Sequence, residues 1–106
     1  MAMTNLPGNE NFEPPDELDG AEVLLWAYNP VEPFFIMRYT DGTEYKPIHG
    51  FAICRYKGSD IFYKFSCDHD WNVEGDFDEP SIEAAVQSAQ SQSIEPINWI
   101  KKKPRI

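Results

Sequence analysis

The apolar residues of this chain come in short runs, and nearly every run is closed by a turn. Residues 22–28 (Glu-Val-Leu-Leu-Trp-Ala-Tyr) end on Asn29-Pro30, residues 34–40 lead into Asp41-Gly42, and residues 51–57 and 61–67 flank Gly58-Ser59-Asp60. Runs of that length, rich in aromatic and β-branched side chains, predict strands, and the Asp-Gly and Gly-Ser-Asp connections predict hairpins. Residues 44–48 return as a further strand, kept short, irregular or at an edge by Pro47, which has no amide to donate. Alternation in residues 61–67 places Ile61, Tyr63, Phe65 and Cys67 on one face, predicted to meet the core, and Phe62, Lys64 and Ser66 on the other. After a turn at residues 68–70, residues 71–73 continue as a short strand.

Only one window carries a helical period. Ile82, Ala85, Val86 and Ala89 recur along one face, Ser81 stands where an N-cap is needed, and Asp78, Glu79, Pro80 and Glu83 suit a helix amino terminus. Pro96 blocks continuation, and Ile97, Trp99 and Ile100 are free to dock beyond it. Several strands followed by one helix predict an α+β fold: an antiparallel β-sheet of about five strands with one amphipathic C-terminal helix packed on one face. The second face is then covered by loops, left partly wet, or used for binding.

With 106 residues the chain is expected to form one domain, burying roughly 65% of its unfolded surface. Residues 1–20 hold Pro7, Gly8, Pro14, Pro15, Gly20 and five acids without a Lys or Arg, so a mobile acidic arm is expected there. Residues 21–100 make the α+β domain, and residues 101–106 a basic tail suited to solubility or to attraction toward the acidic segments.

Nine Lys and Arg against 18 Asp and Glu give a net charge of −9 and an isoelectric point near 4.5, which disfavours nucleic acid as a partner. No apolar run approaches the roughly 18 residues of a membrane helix. Residues 1–11 lack the basic opening and apolar stretch of a secretory signal, and two cysteines make no disulfide framework, so a cytoplasmic setting is expected.

Three constellations invite a chemical reading. Asp68, Asp70, Asn72 and Glu79 fall at the outer ligand positions of a calcium-binding EF-hand loop, but the sixth position, where Gly is required, is Val73. His49, Cys54, Cys67 and His69 are four zinc-competent side chains without the close paired spacing of structural zinc sites. Cys67, His69 and Asp70 have the residue types of a nucleophile, base and orienter, but such triads assemble from separate elements. Phosphate loops, nucleophile elbows and dinucleotide fingerprints are missing from the sequence. The expectation is a protein that is not an enzyme and holds no cofactor or metal.

Clustered charge is the more informative signal. Residues 1–37 carry seven acids and no Lys or Arg, and residues 60–83 carry eight acids against Lys64. Acids beside exposed aromatics such as Tyr63, Trp71 and Phe77 suit a basic protein partner, charge raising the association rate and aromatics supplying anchors.

The block of residues 62–73 (Phe-Tyr-Lys-Phe-Ser-Cys-Asp-His-Asp-Trp-Asn-Val), followed by Asp76, by Ser81-Ile82-Glu83-Ala84-Ala85 and by Trp99, resembles a pattern in small bacterial proteins of uncharacterised activity, over about the last 40% of the chain. The resemblance implies a bacterial origin and a strand, turn and helix in that order, and brings no catalytic residue. In size and acidity the chain also resembles the immunity proteins that neutralise basic nuclease toxins. The reading that follows is a non-enzymatic acidic protein-binding module, an immunity or inhibitor protein for a basic toxin, with Asp68, Asp70, Trp71, Glu74, Asp76 and Asp78 as contact residues. The competing reading is a bacterial or phage structural module that forms a homodimer through its uncovered sheet face.

Overall fold

A computed structural model describes residues 12–38, 41–42 and 45–103. Its main sheet is antiparallel and takes strands from both ends of the chain: β1 (Glu17–Leu18), β2 (Ala21–Tyr28), β5 (Gly50–Arg55), β6 (Phe62–Cys67), β7 (Val73–Glu79) and β8 (Ile100–Lys101). The order is β1-β2-β5-β6-β7, with β8 also pairing β2. β3 (Phe35–Arg38) and β4 (Tyr45–Ile48) form a separate hairpin, in which Pro47 lies opposite Ile36. Helix α1 (Ile82–Ser91) follows β7. The fold is therefore α+β, with an antiparallel sheet and one C-terminal helix, and among the described residues no helix is long and apolar enough to cross a membrane.

Two irregularities curl the sheet. In β2 the register slips between Val23 and Leu25, and in β7 it slips between Val73 and Gly75, leaving Leu24 and Glu74 as extra residues against β5 and β6. A bulge bends its strand and resets which residues share a face. Val23, Trp26 and Tyr28 consequently lie on the same side of β2, together with Ala52 and Cys54 of β5 and Phe65 and Cys67 of β6. Leu18, Ala21, Trp71 and Val73 complete this layer. The face carrying Tyr63, Phe65 and Cys67 meets a core, as their alternation predicts, whereas Ile61, expected with them, precedes the strand and is 42% exposed.

The helix, however, lies on the opposite face. Ser81, extended at φ −155° and ψ 165°, caps it by accepting from the Ala84 amide at 3.0 Å. Ala85 and Ala89 bring its backbone close to the sheet, and Ala89 packs with Ala27, Ile48, Phe51 and Ile97. Here Lys64 is only 2% exposed, its Nζ 3.1 Å from Ser88 Oγ and 2.6 Å from Gln92 Oε1 and 5.0 Å from the Phe77 ring centre. Burial pushes the Lys64 amine down from its ordinary value, opposed by Glu79. A lysine on the minor face of a strand reads as solvent-facing, but the helix end supplies the acceptors that let its long stem be buried.

Residues 12–20, where the sequence suggests a mobile arm, pack on the sheet. Phe12 stacks on Tyr28 at 4.8 Å, Pro14 and Leu18 are buried, and the Val23 amide donates to Asp16 O at 2.9 Å. Lys102 fastens this stretch by pairing with Asp16 at 2.8 Å and Glu13 at 3.4 Å, so the basic tail is drawn onto acids of the same chain. Residues 1–11 and 104–106 of the expected arm and tail lie outside the described residues.

Candidate interaction surface

The β6–β7 connection is built around Asp68. Its Oδ1 accepts from the amides of Asp70 at 2.8 Å and Asn72 at 2.9 Å, and its Oδ2 accepts from Asn72 Nδ2 at 2.9 Å. Burial works against the charged form, but the hydrogen bonds from Asn72 and Asp70 outweigh it and hold the carboxyl below its usual range. Asp68 is thus committed to its own turn.

That turn forces Trp71 into the left-handed region, at φ 66°, and aims its indole inward. A Cβ placed on Gly50 would lie 2.8 Å from the Trp71 ring, so the ring occupies the space that glycine leaves on β5. Trp71 packs edge-on to Trp26 and beside Tyr28, and its Nε1 donates to Phe12 O at 2.8 Å. The tryptophan expected as an exposed anchor instead ties the β6–β7 turn to residue 12. Tyr28 donates its hydroxyl to His69 O at 2.7 Å and fixes the same turn from β2.

His49 and His69 come near each other, with ring centres 6.2 Å apart. His49 Nδ1 is 2.8 Å from Asn29 O, while His69 Nε2 lies 3.4 Å from Asp70 on the surface. Cys54 and Cys67 do not join them, since both are fully buried in the sheet core. Burial, with Asp19 adding to it, pushes the Cys54 thiol up to about 12, and burial pushes Cys67 up also. The four zinc-competent side chains therefore separate into a histidine pair outside the core, His49 half-buried and His69 exposed, and a cysteine pair inside it, and among the described residues no group of three or more His, Cys, Asp or Glu is arranged to hold a metal ion. The residues of the imagined triad separate likewise: Cys67 is inside, His69 and Asp70 outside. The Asp68 to Glu79 segment is not a calcium loop either, because residues 73–79 form a strand.

β7 is the larger surprise. Its sequence, Val-Glu-Gly-Asp-Phe-Asp-Glu, reads as a solvated acidic turn leading into a helix, yet it pairs with β6 from Glu79 opposite Phe62 to Val73 opposite Cys67. It is the last strand of the sheet on that side, a position where carboxylates meet water at no penalty. Its bulge separates the acids. Glu74 turns to Lys46 of the β3–β4 hairpin at 3.8 Å, whereas Asp76 and Asp78, opposite Phe65 and Tyr63, share the other face and are exposed. No ion pair reaches Asp76 or Asp78 among the described residues. Phe77, between them, points to the helix side and remains 60% exposed.

A further aromatic pair borders these acids. Tyr56 meets Tyr63 edge-on at 5.2 Å and donates to Asp19 O at 3.1 Å, bringing the β1–β2 turn alongside. The Tyr56 phenol is held above its ordinary value by partial removal from water and then by the charges of Asp19, Tyr63 and Asp76. Tyr56 and Asp19 were not expected here from sequence; the signal was the spacing of Tyr56 from Tyr63 across the Gly58 turn, whose φ is 79°. Four positive side chains gather elsewhere: Arg55, Lys57, Lys102 and Lys103 line an open groove of about 490 Å3, interleaved with Asp16, Glu17 and Glu22.

Comparison of the chain with protein-family models, with curated proteins and with solved structures gives no match.

Proposed function

We propose that the protein is a non-enzymatic binding module that engages a basic protein through the acidic surface formed by Asp70, Asp76 and Asp78, with Phe77, Tyr56 and Tyr63 as apolar contacts. The observation that carries this reading is the exposed pair Asp76 and Asp78, which meet no cation among the described residues while Glu13, Asp16 and Glu74 are paired internally. Unpaired carboxylates around an exposed aromatic give fast, salt-sensitive association and a site of anchorage. Asp68, Trp71 and Glu74, the remaining residues of the sequence-based site, support the surface by holding the turn and the bulge. An immunity or inhibitor role against a basic toxin is the concrete form of this proposal, in a cytoplasmic setting. The test is capture from source-cell lysate, treated with nuclease, at low and moderate salt, beside a variant with Asp70→Lys and Asp76→Lys. A basic protein retained by the parent, released by salt and missed by the variant supports the reading; equal retention by the variant overturns it.

A further inference from the structure

Resting on that reading, we infer that the open edge of β7 binds its partner by strand addition, accepting an extended segment in which basic and apolar residues alternate. An antiparallel strand with one neighbour directs the N–H and C=O groups of alternate residues away from that neighbour. β7 has β6 on one side only, and among the described residues no backbone hydrogen bond outside that pairing involves residues 73–79. The opposite margin of the sheet differs. There β1 and β8 both pair with β2, and Lys102 N donates to Leu24 O at 2.9 Å between them, so the β2 margin is covered over residues 21–26.

The side chains of β7 define what the added strand must carry. Asp76 and Asp78 are two apart, so they project from one face about 7 Å from each other, the repeat of residues i and i+2 in any strand laid beside them. Lysine or arginine at those positions would stand directly opposite a carboxylate, the arrangement that stabilises cross-strand pairs. Phe77 projects from the other face, half uncovered, and would meet the intervening residue, which is therefore apolar. Glutamate and aspartate along the edge repel a second copy of β7, so the same charges that select a basic strand oppose pairing of this chain with itself through that edge.

Two probe peptides of eight residues separate strand addition from simple charge attraction. One alternates Lys and Val; the other alternates Lys and Pro, which keeps the four charges and an extended shape but is held by its fixed φ in a three-residue-per-turn helix that does not match the two-residue repeat of a ladder. Binding to the full chain is followed by amide chemical shifts and hydrogen exchange at low salt. Expected is binding of the Lys-Val peptide about tenfold or more tighter than the Lys-Pro peptide, with slowed exchange at alternate residues of β7 and loss of that binding in the Asp76→Lys, Asp78→Lys variant. Equal binding of the two peptides overturns strand addition and leaves the acidic surface standing. Binding of neither overturns both proposals for this edge, and binding without protection in residues 73–79 overturns the placement.

Discussion

The chain has two acidic stretches that look alike in sequence, residues 13–19 and 68–79, and the fold uses them in opposite ways. Glu13 and Asp16 converge on Lys102, whose side chain is 10% exposed, and the backbone between them and Leu18 joins the β2 margin. In the second stretch, among the described residues, only Glu74 meets a lysine, Asp68 is taken up by its own turn, and Asp76 and Asp78 stay open. Density of charge thus says little about availability. What decides it is whether the topology carries a cation past the acids, and the C-terminal strand β8 does so for the first stretch alone.

Trp71 joins the two stretches, so its loss has the largest expected effect. Trp71→Ala removes the ring seated over Gly50, the edge-on contact with Trp26 and the hydrogen bond to Phe12 O. A destabilisation of about 3–5 kcal/mol is expected from large-to-small substitution in a packed site. Urea unfolding reads it as a lower midpoint, and amide exchange near residue 12 should rise together with exchange in the β6–β7 turn. A loss below about 1 kcal/mol would mean that the two stretches are held independently.

Acids of both stretches also reach the core electrostatically. After burial, Asp19 raises the Cys54 thiol, and Cys54, Asp68, Asp19 and Glu74 add to the rise at Cys67. A raised native value means that the folded chain keeps protons the unfolded chain loses above the ordinary value of 9.0, so stability falls as pH rises from there toward about 12. Between pH 9 and 10 the two thiols together should cost about 2 kcal/mol, and Cys54→Ala should remove about half of the thiol-dependent slope in a comparison of urea midpoints.

Lys102 tests the paired stretch directly. Lys102→Met removes the partner of Glu13 and Asp16 but keeps the stem, and a loss of about 1 kcal/mol is expected at neutral pH, smaller in high salt. The hydrogen bond that Lys102 donates to Asp16 raises its amine despite desolvation, with Glu13 adding to it. Its contribution is therefore complete below the ordinary value of 10.5 and lost as pH rises through the higher native value. On the alkaline side the difference between parent and variant should shrink across that range.

The regular parts of the fold were legible because their signals are local. The apolar runs that became β2, β5 and β6, the Gly58 turn and the Ser81-capped helix each declare themselves within ten residues or so. The bulges at Leu24 and Glu74 did not, since a bulge is settled by the curl of the whole sheet, and each one reverses the faces that simple alternation assigns downstream. Trp71 looked like an exposed anchor because nothing in its own neighbourhood shows that Gly50, 21 positions earlier, would leave a space for it. Lys64 was assigned the right face, but its burial depended on Ser88 and Gln92 arriving from the helix. Asp76 and Asp78 were found for their charge, while the strand that presents them was hidden by that same charge.

The smallest stability effect and the clearest separation come from neutralising the two stretches in parallel. Asp76→Asn with Asp78→Asn removes charge from exposed positions that make no ion pair among the described residues, so unfolding should change by less than about 0.5 kcal/mol. Glu13→Gln with Asp16→Asn removes the same charge but strips Lys102 of its partners, and should lose stability comparable to Lys102→Met. Binding is expected to order the variants the other way: the first pair should weaken capture of the basic partner and flatten its salt dependence, the second should leave both near those of the parent. If the two double variants weaken binding equally, net charge is what the partner reads, and the division of labour between the acidic stretches is only structural. If the first alone weakens it, the acids on β7 act by position, because the two variants carry identical net charge and differ only in where it was removed.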